Sequence, residues 1–205
     1  MNDSGFFKYE TTFSKNGDDP RVLEFAVTLR EHSYSDDYKA AAPVAFLEGF
    51  MAQPGYLPDP DDRWYFDTFD MRSAHSMDAF SVLADDQGLL STALQKKKAS
   101  LDDCDAVAHL ERAWVDPSLR GRGIALRLMR EAQHVLGRYG LLVILKAHPD
   151  GKDIPDAQCR KLAKYYQSDK GLGLVPVSNT KRPGWLVAVW DEPRIHSGDT
   201  VYLPD

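Results

Sequence analysis

Residues 110–125 read LERAWVDPSLRGRGIA, and this stretch decides the fold. It begins inside Ala106–Val115, an apolar segment that is typical of a β-strand. A turn containing Pro117 follows, and then an amphipathic helix is predicted over 123–137. Apolar residues recur on that helix at the 3.6-residue period, so one helix face is expected to pack on a sheet. The residues of this face are Ala125, Leu128, Met129, Ala132, Val135 and Leu136.

Two glycines, Gly121 and Gly123, stand at the mouth of this helix and allow the backbone to approach a ligand closely. The free N–H groups of a first helical turn, together with the helix dipole, bind anions. A Walker A loop needs Gly-x-x-x-x-Gly-Lys-Ser/Thr, which this stretch lacks. A dinucleotide site needs a third glycine, where Leu126 stands, and an acidic residue at the end of the next strand, where Lys146 stands. The sequence therefore predicts an anion site that fits neither standard nucleotide motif.

The elements after this stretch alternate between strand and helix. Leu141–Lys146 is a continuous apolar run, as expected of a strand that is covered on both faces. A helix is predicted over 155–167, and strands over 174–177 and 185–190. This alternation indicates an α/β sandwich.

The first half of the chain gives a less regular pattern. The first twenty residues are polar and rich in turn formers, which predicts a loose arm. A loop with three prolines and three aspartates is expected over 53–63. The other predicted elements are strands over 21–31, 43–51 and 64–70 and helices over 73–83 and 89–98.

The net charge of −6 is unevenly spread. Residues 1–105 hold 10 Lys and Arg against 20 Asp and Glu, a balance of −10, whereas residues 106–205 hold 15 against 11, a balance of +4. An acidic half suits a cationic partner and repels nucleic acid, and a mildly basic half suits an anionic ligand. The three lysines at 96–98 accordingly indicate a solvated helix face and no nucleic-acid patch.

The cysteines and the hydropathy of the chain indicate where in the cell the protein is expected to be. Cys104 and Cys159 have neither a metal-ligand spacing nor the pattern of a disulfide framework, so we expect reduced thiols and no metal. No apolar run approaches the roughly 20 residues of a spanning helix, and the first residues lack a signal-peptide pattern. We therefore expect a cytoplasmic protein without a membrane partner, either a monomer or a homodimer.

Residues 110–125 also resemble the acetyl-CoA-binding signature of the GNAT N-acetyltransferases. The core pattern of that family, Arg/Gln-x-x-Gly-x-Gly/Ala, is matched by Arg120, Gly123 and Ala125. The resemblance spans roughly residues 106–190. It implies a three-layer α/β sandwich, with a mixed central sheet and helices on both faces. Family members usually place two helices between their first two strands, so the N-terminal part of this chain is expected to be atypical.

The resemblance also implies one domain with two functional halves and a set of binding residues. Residues 21–105 would be the acceptor-side half, and residues 106–191 the acetyl-CoA-binding core. The strand that ends at Val115 would separate from the strand at Leu141–Lys146, and the pantetheine arm would lie in the gap. The backbone amide near Val115 would polarise the thioester carbonyl. The backbone that would hold the pyrophosphate is that of Arg120, Gly121, Arg122, Gly123, Ile124 and Ala125.

Acyl transfer to an amine needs a base and an acid. Glu111 corresponds to the water-activating carboxylate of many family members and is the candidate base, with His109 in reserve. By strand alternation Glu111 shares a face with His109, Ala113 and Val115. The candidate acid is Tyr166, on the helix that delivers a tyrosine to the thiol sulfur in this family. Its neighbour Tyr165 stays open as the alternative.

The resemblance therefore predicts an enzyme that moves an acetyl or similar acyl group from acyl-CoA to a small or peptidyl amine. The acidic half, including the aspartates within 59–62, favours a cationic acceptor. A catalytically lapsed acyl-CoA-binding module that acts through protein contacts is the second possibility. A nucleotide-binding α/β domain is the third.

Overall fold

A computed structural model describes residues 6–17, 19–32, 42–53, 68–83, 105–138, 140–151, 153–177 and 184–191. The strands are β1 (Phe6–Lys15), β2 (Val22–His32), β3 (Pro43–Ala52), β4 (Ala106–Val115), β5 (Leu141–Lys146), β6 (Val175–Pro176) and β7 (Trp185–Val189). The longer helices are α1 (Ala74–Leu83), α2 (Ile124–Leu136) and α3 (Asp156–Gln167), and short 3₁₀ helices span Pro117–Leu119 and Lys170–Leu172. Within these ranges, every helix is too short or too polar to cross a membrane.

The strands form one seven-stranded mixed sheet in the order β1-β2-β3-β4-β5-β7-β6. Neighbouring strands are antiparallel except for β4 and β5, which run parallel. A parallel pair needs a crossover, and α2 supplies it between β4 and β5.

Helices cover both faces of this sheet. On one face α2 packs against β2, β3 and β4, and Ala163 of α3 is buried in the same apolar cluster. On the other face Val82 and Leu83 of α1 are buried in a second cluster with residues of β4, β5 and β7. Each face has its own apolar cluster, so the expected three-layer α/β sandwich is confirmed.

Strand β1 corrects the expectation of a loose arm over the first twenty residues. Phe6–Lys15 pairs along its whole length with β2, from Phe6 opposite His32 to Lys15 opposite Leu23. Phe7 and Tyr9 pack against the larger core cluster, and this alternation holds the strand in place. The many polar residues of this segment concealed the alternation.

The N-terminal part is atypical in the order of its strands and helices. The strands β1, β2 and β3 follow one another as an antiparallel meander, and α1 comes after them. The predicted strand over 64–70 is wrong in its last three residues, because 68–70 are helical. Residues 64–67, and the helix predicted over 89–98, lie outside the described residues.

The predicted helix face of α2 is right except at one position. Val135 is 37% exposed, while the polar Gln133 is buried in its place. Gln133 donates a side-chain hydrogen bond to the Gly171 carbonyl at 3.1 Å, which satisfies the buried amide. Gln133 therefore belongs to the buried face of α2, and Val135 does not.

A β-bulge interrupts β4 at the point where the site is built. Glu48 pairs with Arg112 and Gly49 pairs with Leu110, so Glu111 is an extra residue without a partner on β3. Because one residue is inserted, the alternation of side chains reverses beyond it. His109 faces the α1 side, in ring contact with Phe50.

Ala113 and Val115, beyond the bulge, pack on the opposite cluster from the one that His109 contacts. The expectation that Glu111 shares one face with His109, Ala113 and Val115 is therefore wrong.

Gly49 makes this bulge possible. A Cβ atom at position 49 would lie 2.1 Å from the His109 carbonyl oxygen and 3.0 Å from Cζ of Phe25. Any side chain would push β3 away from β4. The glycine is required by close backbone approach.

We predict that Gly49→Ala lowers the free energy of unfolding by about 1–3 kcal/mol, because the methyl group overpacks the β3–β4 contact. Urea unfolding measures the loss. Gly17→Ala is the matched control, since a Cβ there meets nothing within 4 Å. Equal urea midpoints for the two variants would contradict the close approach of Gly49 to the His109 backbone.

Candidate active site

A gap opens between β4 and β5 on the carboxyl side of the bulge. The parallel pairing ends at Leu110 and Leu145, whereas β4 continues to Val115 with only β3 beside it. A cavity of about 70 Å³ lies at this point. It is lined by Leu47, Leu110, Glu111, Arg112, Ala113, Met129, Leu145, Lys146, His148, Asp150 and Tyr166. Beyond Leu110, β4 is therefore unpaired on this side, and β5 itself ends at Lys146, one residue after the last pair.

Glu111 is half-buried at the mouth of this gap. One of its carboxylate oxygens lies 3.9 Å from Arg72 and the other lies 3.9 Å from Nδ1 of His109. Burial raises the pKa of Glu111 above its ordinary value, and Glu48 and Glu24 add to the rise, while Arg72 opposes it. A carboxylate with a raised pKa is a stronger proton acceptor than an ordinary surface glutamate.

Arg72 ties the segment before α1 to this carboxylate. Its guanidinium lies 4.0 Å above the ring of Phe50 and donates a hydrogen bond to Glu24 at 3.3 Å. The aromatic face and the carboxylate hold the guanidinium where it can approach Glu111. Arg72 thus links β2, β3 and the bulge of β4.

His109 is fully buried among aromatic rings. The neighbouring rings belong to Phe50, Phe69, His75 and Trp185. Burial lowers the pKa of His109 to about 3, with His75 and Arg72 contributing. The imidazole is neutral at physiological pH, and within the described part of the chain neither ring nitrogen has a hydrogen-bond partner.

The structure distinguishes the two neighbouring tyrosines of α3. Tyr166 is buried and lines the same cavity as Glu111, and burial raises its pKa to about 12. Tyr165 is 36% exposed, and its phenol oxygen accepts a hydrogen bond from the N–H of Leu126. Burial also raises the pKa of Tyr165. Tyr166 therefore lies at the gap, and Tyr165 lies at the first turn of α2.

The turn before α2 contains two glycines at the start of the helix. Gly121 and Gly123 adopt φ values of +82° and +74°, in the left-handed region that favours glycine. Gly123 is the N-cap of α2 and supplies no side-chain hydrogen bond to the helix. Apart from the adjacent backbone, no atom of the described residues lies within 4 Å of where a Cβ of either glycine would be, so this part of the structure leaves space beside the turn. This geometry suits an anion such as a pyrophosphate.

The chain between the gap and this turn is held in a fixed path. Asp116 accepts hydrogen bonds from the N–H and hydroxyl of Ser118, and Arg120 donates from Nε to the Val115 carbonyl at 3.1 Å. The N–H of Asp116 donates to Val44 of β3. Because successive amides of a strand point to opposite sides, the N–H of Val115 points away from β3 and toward the gap.

A model of a known protein family covers this region of the chain. The model of the Acetyltransferase (GNAT) family matches residues 45–153, just over half of the chain. The chain belongs to the GNAT acetyltransferase family. A solved structure, arylalkylamine N-acetyltransferase 2 from Aedes aegypti, is similar with a TM-score of 0.39 and 12% identity, over 81% of this chain and 73% of that one. No curated protein matches.

Several side chains of this GNAT site were missed by sequence reasoning. Arg72, Glu24 and Glu48 surround Glu111 although they are distant in sequence, and no motif marks them. The lone Gly49 inside an apolar strand was an available signal for the bulge. Among the described residues, no group of three or more His, Cys, Asp or Glu side chains is placed to hold a metal ion.

We predict that Gly123→Asp abolishes measurable acetyl-CoA binding, because its carboxylate repels phosphates at the helix start. Gly123→Asn is the matched control, since Asn has the same shape, tolerates positive φ and carries no charge. Isothermal titration calorimetry with acetyl-CoA compares the two folded variants. Equal affinities in Gly123→Asp and Gly123→Asn would show that phosphates do not bind at this turn.

Proposed function

We propose that this GNAT protein transfers an acetyl or similar acyl group from acyl-CoA to an amine, with Glu111 as water-mediated general base and Tyr166 as general acid. The observation that carries the proposal is that both side chains line one cavity, at the point where β4 leaves β5. A base and an acid on either side of one gap are the two proton carriers that acyl transfer needs.

The acyl donor would lie along the gap and the turn. Backbone N–H groups of residues 120–125 would bind the pyrophosphate of acetyl-CoA, with added attraction from the side chains of Arg120 and Arg122. The pantetheine arm would lie between β4 and β5. The N–H of Val115 points toward this gap and would donate to the thioester oxygen, where negative charge develops.

The first proton leaves the acceptor. An alkylammonium ion has no free electron pair, so it must lose a proton before its nitrogen can attack the thioester carbon. Glu111 takes that proton through a water molecule. The raised pKa of Glu111 makes it suited to this step, whereas a pKa of about 3 makes His109 a poor base at neutral pH.

The second proton reaches the leaving group. The amine nitrogen bonds to the carbonyl carbon, the carbon–sulfur bond breaks, and the thiolate takes the phenolic proton of Tyr166. A phenol whose pKa is raised to about 12 stays protonated until the thiolate forms. The new amide nitrogen loses its extra proton, so one ammonium and one thioester give one amide, one thiol and one proton.

The two halves of the chain would divide this work. Residues 106–191 would form the acyl-CoA-binding core, and residues 21–105 would form the acceptor side. The acidic balance of the first half supports a cationic amine, free in solution or on a peptide. We place the reaction in the cytoplasm, where the two thiols stay reduced.

We predict that Glu111→Gln and Tyr166→Phe each lower kcat for thiol release from acetyl-CoA by about 10²-fold or more, because each removes one proton transfer. A thiol-reactive dye measures release across a panel of amines. Tyr165→Phe is the matched control on α3 and keeps the wild-type kcat. The wild-type kcat/KM falls on the acid side at a pH above the ordinary glutamate pKa, as the raised pKa of Glu111 requires.

Three results would count against this assignment. Full activity in Glu111→Gln would remove the general base, and a larger loss in Tyr165→Phe than in Tyr166→Phe would reverse the two tyrosines. Acetyl-CoA binding without thiol release for any amine would favour a lapsed binding module.

A further inference from the structure

A second cavity, of about 240 Å³, lies on the α1 side of the sheet. It is lined by Thr12, Ser14, Glu24, Phe25, Ala26, Glu48, Gly49, Arg72 and Glu111. Glu111 therefore lines both this cavity and the one at the gap between β4 and β5. The bulge places its carboxylate where the two cavities approach each other.

The charges that line this second cavity do not balance. It contains three carboxylates, on Glu24, Glu48 and Glu111, and the guanidinium of Arg72. Arg72 is hydrogen-bonded to Glu24 at 3.3 Å and lies 3.9 Å from Glu111. None of the ion pairs within the described ranges involves Glu48. Its partner across the strands is Arg112, whose guanidinium lies 5.5 Å from the centre of the Phe46 ring. The cavity therefore favours a cation.

A buried polar group lies behind Glu111, on the core side of this cavity. His109 has 0% exposure and aims Nδ1 at the Glu111 carboxylate from 3.9 Å. No described residue completes a hydrogen bond with this nitrogen. A protonated amine, or a water molecule that it brings to Glu111, would complete the polar contacts at this end of the cavity.

The spacing of the carboxylates sets the kind of cation. Glu48 pairs with Arg112 immediately beside the bulge, so it neighbours Glu111 along the sheet. Glu48 also faces Ala26, two residues from Glu24 on β2, so Glu24 and Glu48 are diagonal neighbours. Glu111 is adjacent in sequence to Arg112, the partner of Glu48, so a short-chain diamine could place one amine at Glu111 and a second at Glu48.

Resting on the acetyl transfer proposed above, we propose that this second cavity is the acceptor site and that it takes a small amine with a second cationic group, held by Glu48. A cavity of 240 Å³ has the volume of about eight water molecules, which is ample for a straight-chain diamine. Arg72 holds Glu24, and Glu111 receives the proton of the reacting amine. Glu48 of β3, in the atypical N-terminal half, thus selects the acceptor.

The test compares three acceptors of equal chain length: 1,4-diaminobutane, butylamine and 4-aminobutanoate. For wild-type protein, kcat/KM for thiol release from acetyl-CoA should be at least about tenfold higher with the diamine than with butylamine, as expected for one charge-assisted contact. The zwitterionic 4-aminobutanoate should be the poorest acceptor. Glu48→Gln should reduce the preference for the diamine over butylamine by about tenfold.

Glu31→Gln is the matched control, because Glu31 is exposed at the far end of β2 and does not line the cavity. This variant should keep the wild-type preference. The inference would be overturned if butylamine reacted as well as the diamine, or if Glu48→Gln kept the wild-type preference. Neither result would contradict the proposed acetyl transfer.

Calorimetry of the diamine and butylamine with the CoA-bound protein tests the site without turnover. If the diamine binds more tightly than butylamine and Glu48→Gln removes the difference, the cavity assignment is supported. This holds even without thiol release, because the absence of release would contradict only the proposed catalysis. Equal binding of the two amines would overturn the cavity assignment.

Discussion

The backbone of β3 lies so close to β4 at Gly49 that a single added carbon would stand 2.1 Å from the His109 carbonyl. This contact lets β4 hold one residue more than β3 opposite it, and that residue is Glu111. The insertion reverses the side-chain alternation along β4. It also lies directly after Leu110, where the pairing with β5 ends. The gap proposed to hold an acyl donor and the position of the proposed base thus have one origin in the backbone.

The charges around the bulge follow from this arrangement. Burial raises the pKa of Glu111, and the neighbouring Glu48 and Glu24 raise it further. The guanidinium of Arg72 lowers this pKa and so favours the ionised carboxylate. The proposed donor side has the opposite character, since the turn before α2 would offer backbone donors and arginines to phosphates. An anionic donor and a cationic acceptor would therefore approach Glu111 from opposite faces of the sheet, each attracted by the charge on its own side.

The second half of the chain was predictable from sequence because its elements are regular. The period of α2, the apolar run of β5 and the signature around Gly123 each depend on neighbouring residues. The first half was harder, because β1 hides its alternation among polar residues and its pairing with β2 is tertiary. The surroundings of Glu111 were not predictable, since Arg72 reaches it from a separate segment and the bulge reverses the expected faces.

A crystal structure of the protein with acetyl-CoA tests the central claim most directly. We predict that the pyrophosphate lies on the backbone of residues 120–125 and that the thioester lies between β4 and β5. Its oxygen should lie within hydrogen-bond distance of the Val115 N–H, with Glu111 and Tyr166 on either side. A donor bound away from this gap, or β4 paired with β5 as far as Val115, would contradict the account.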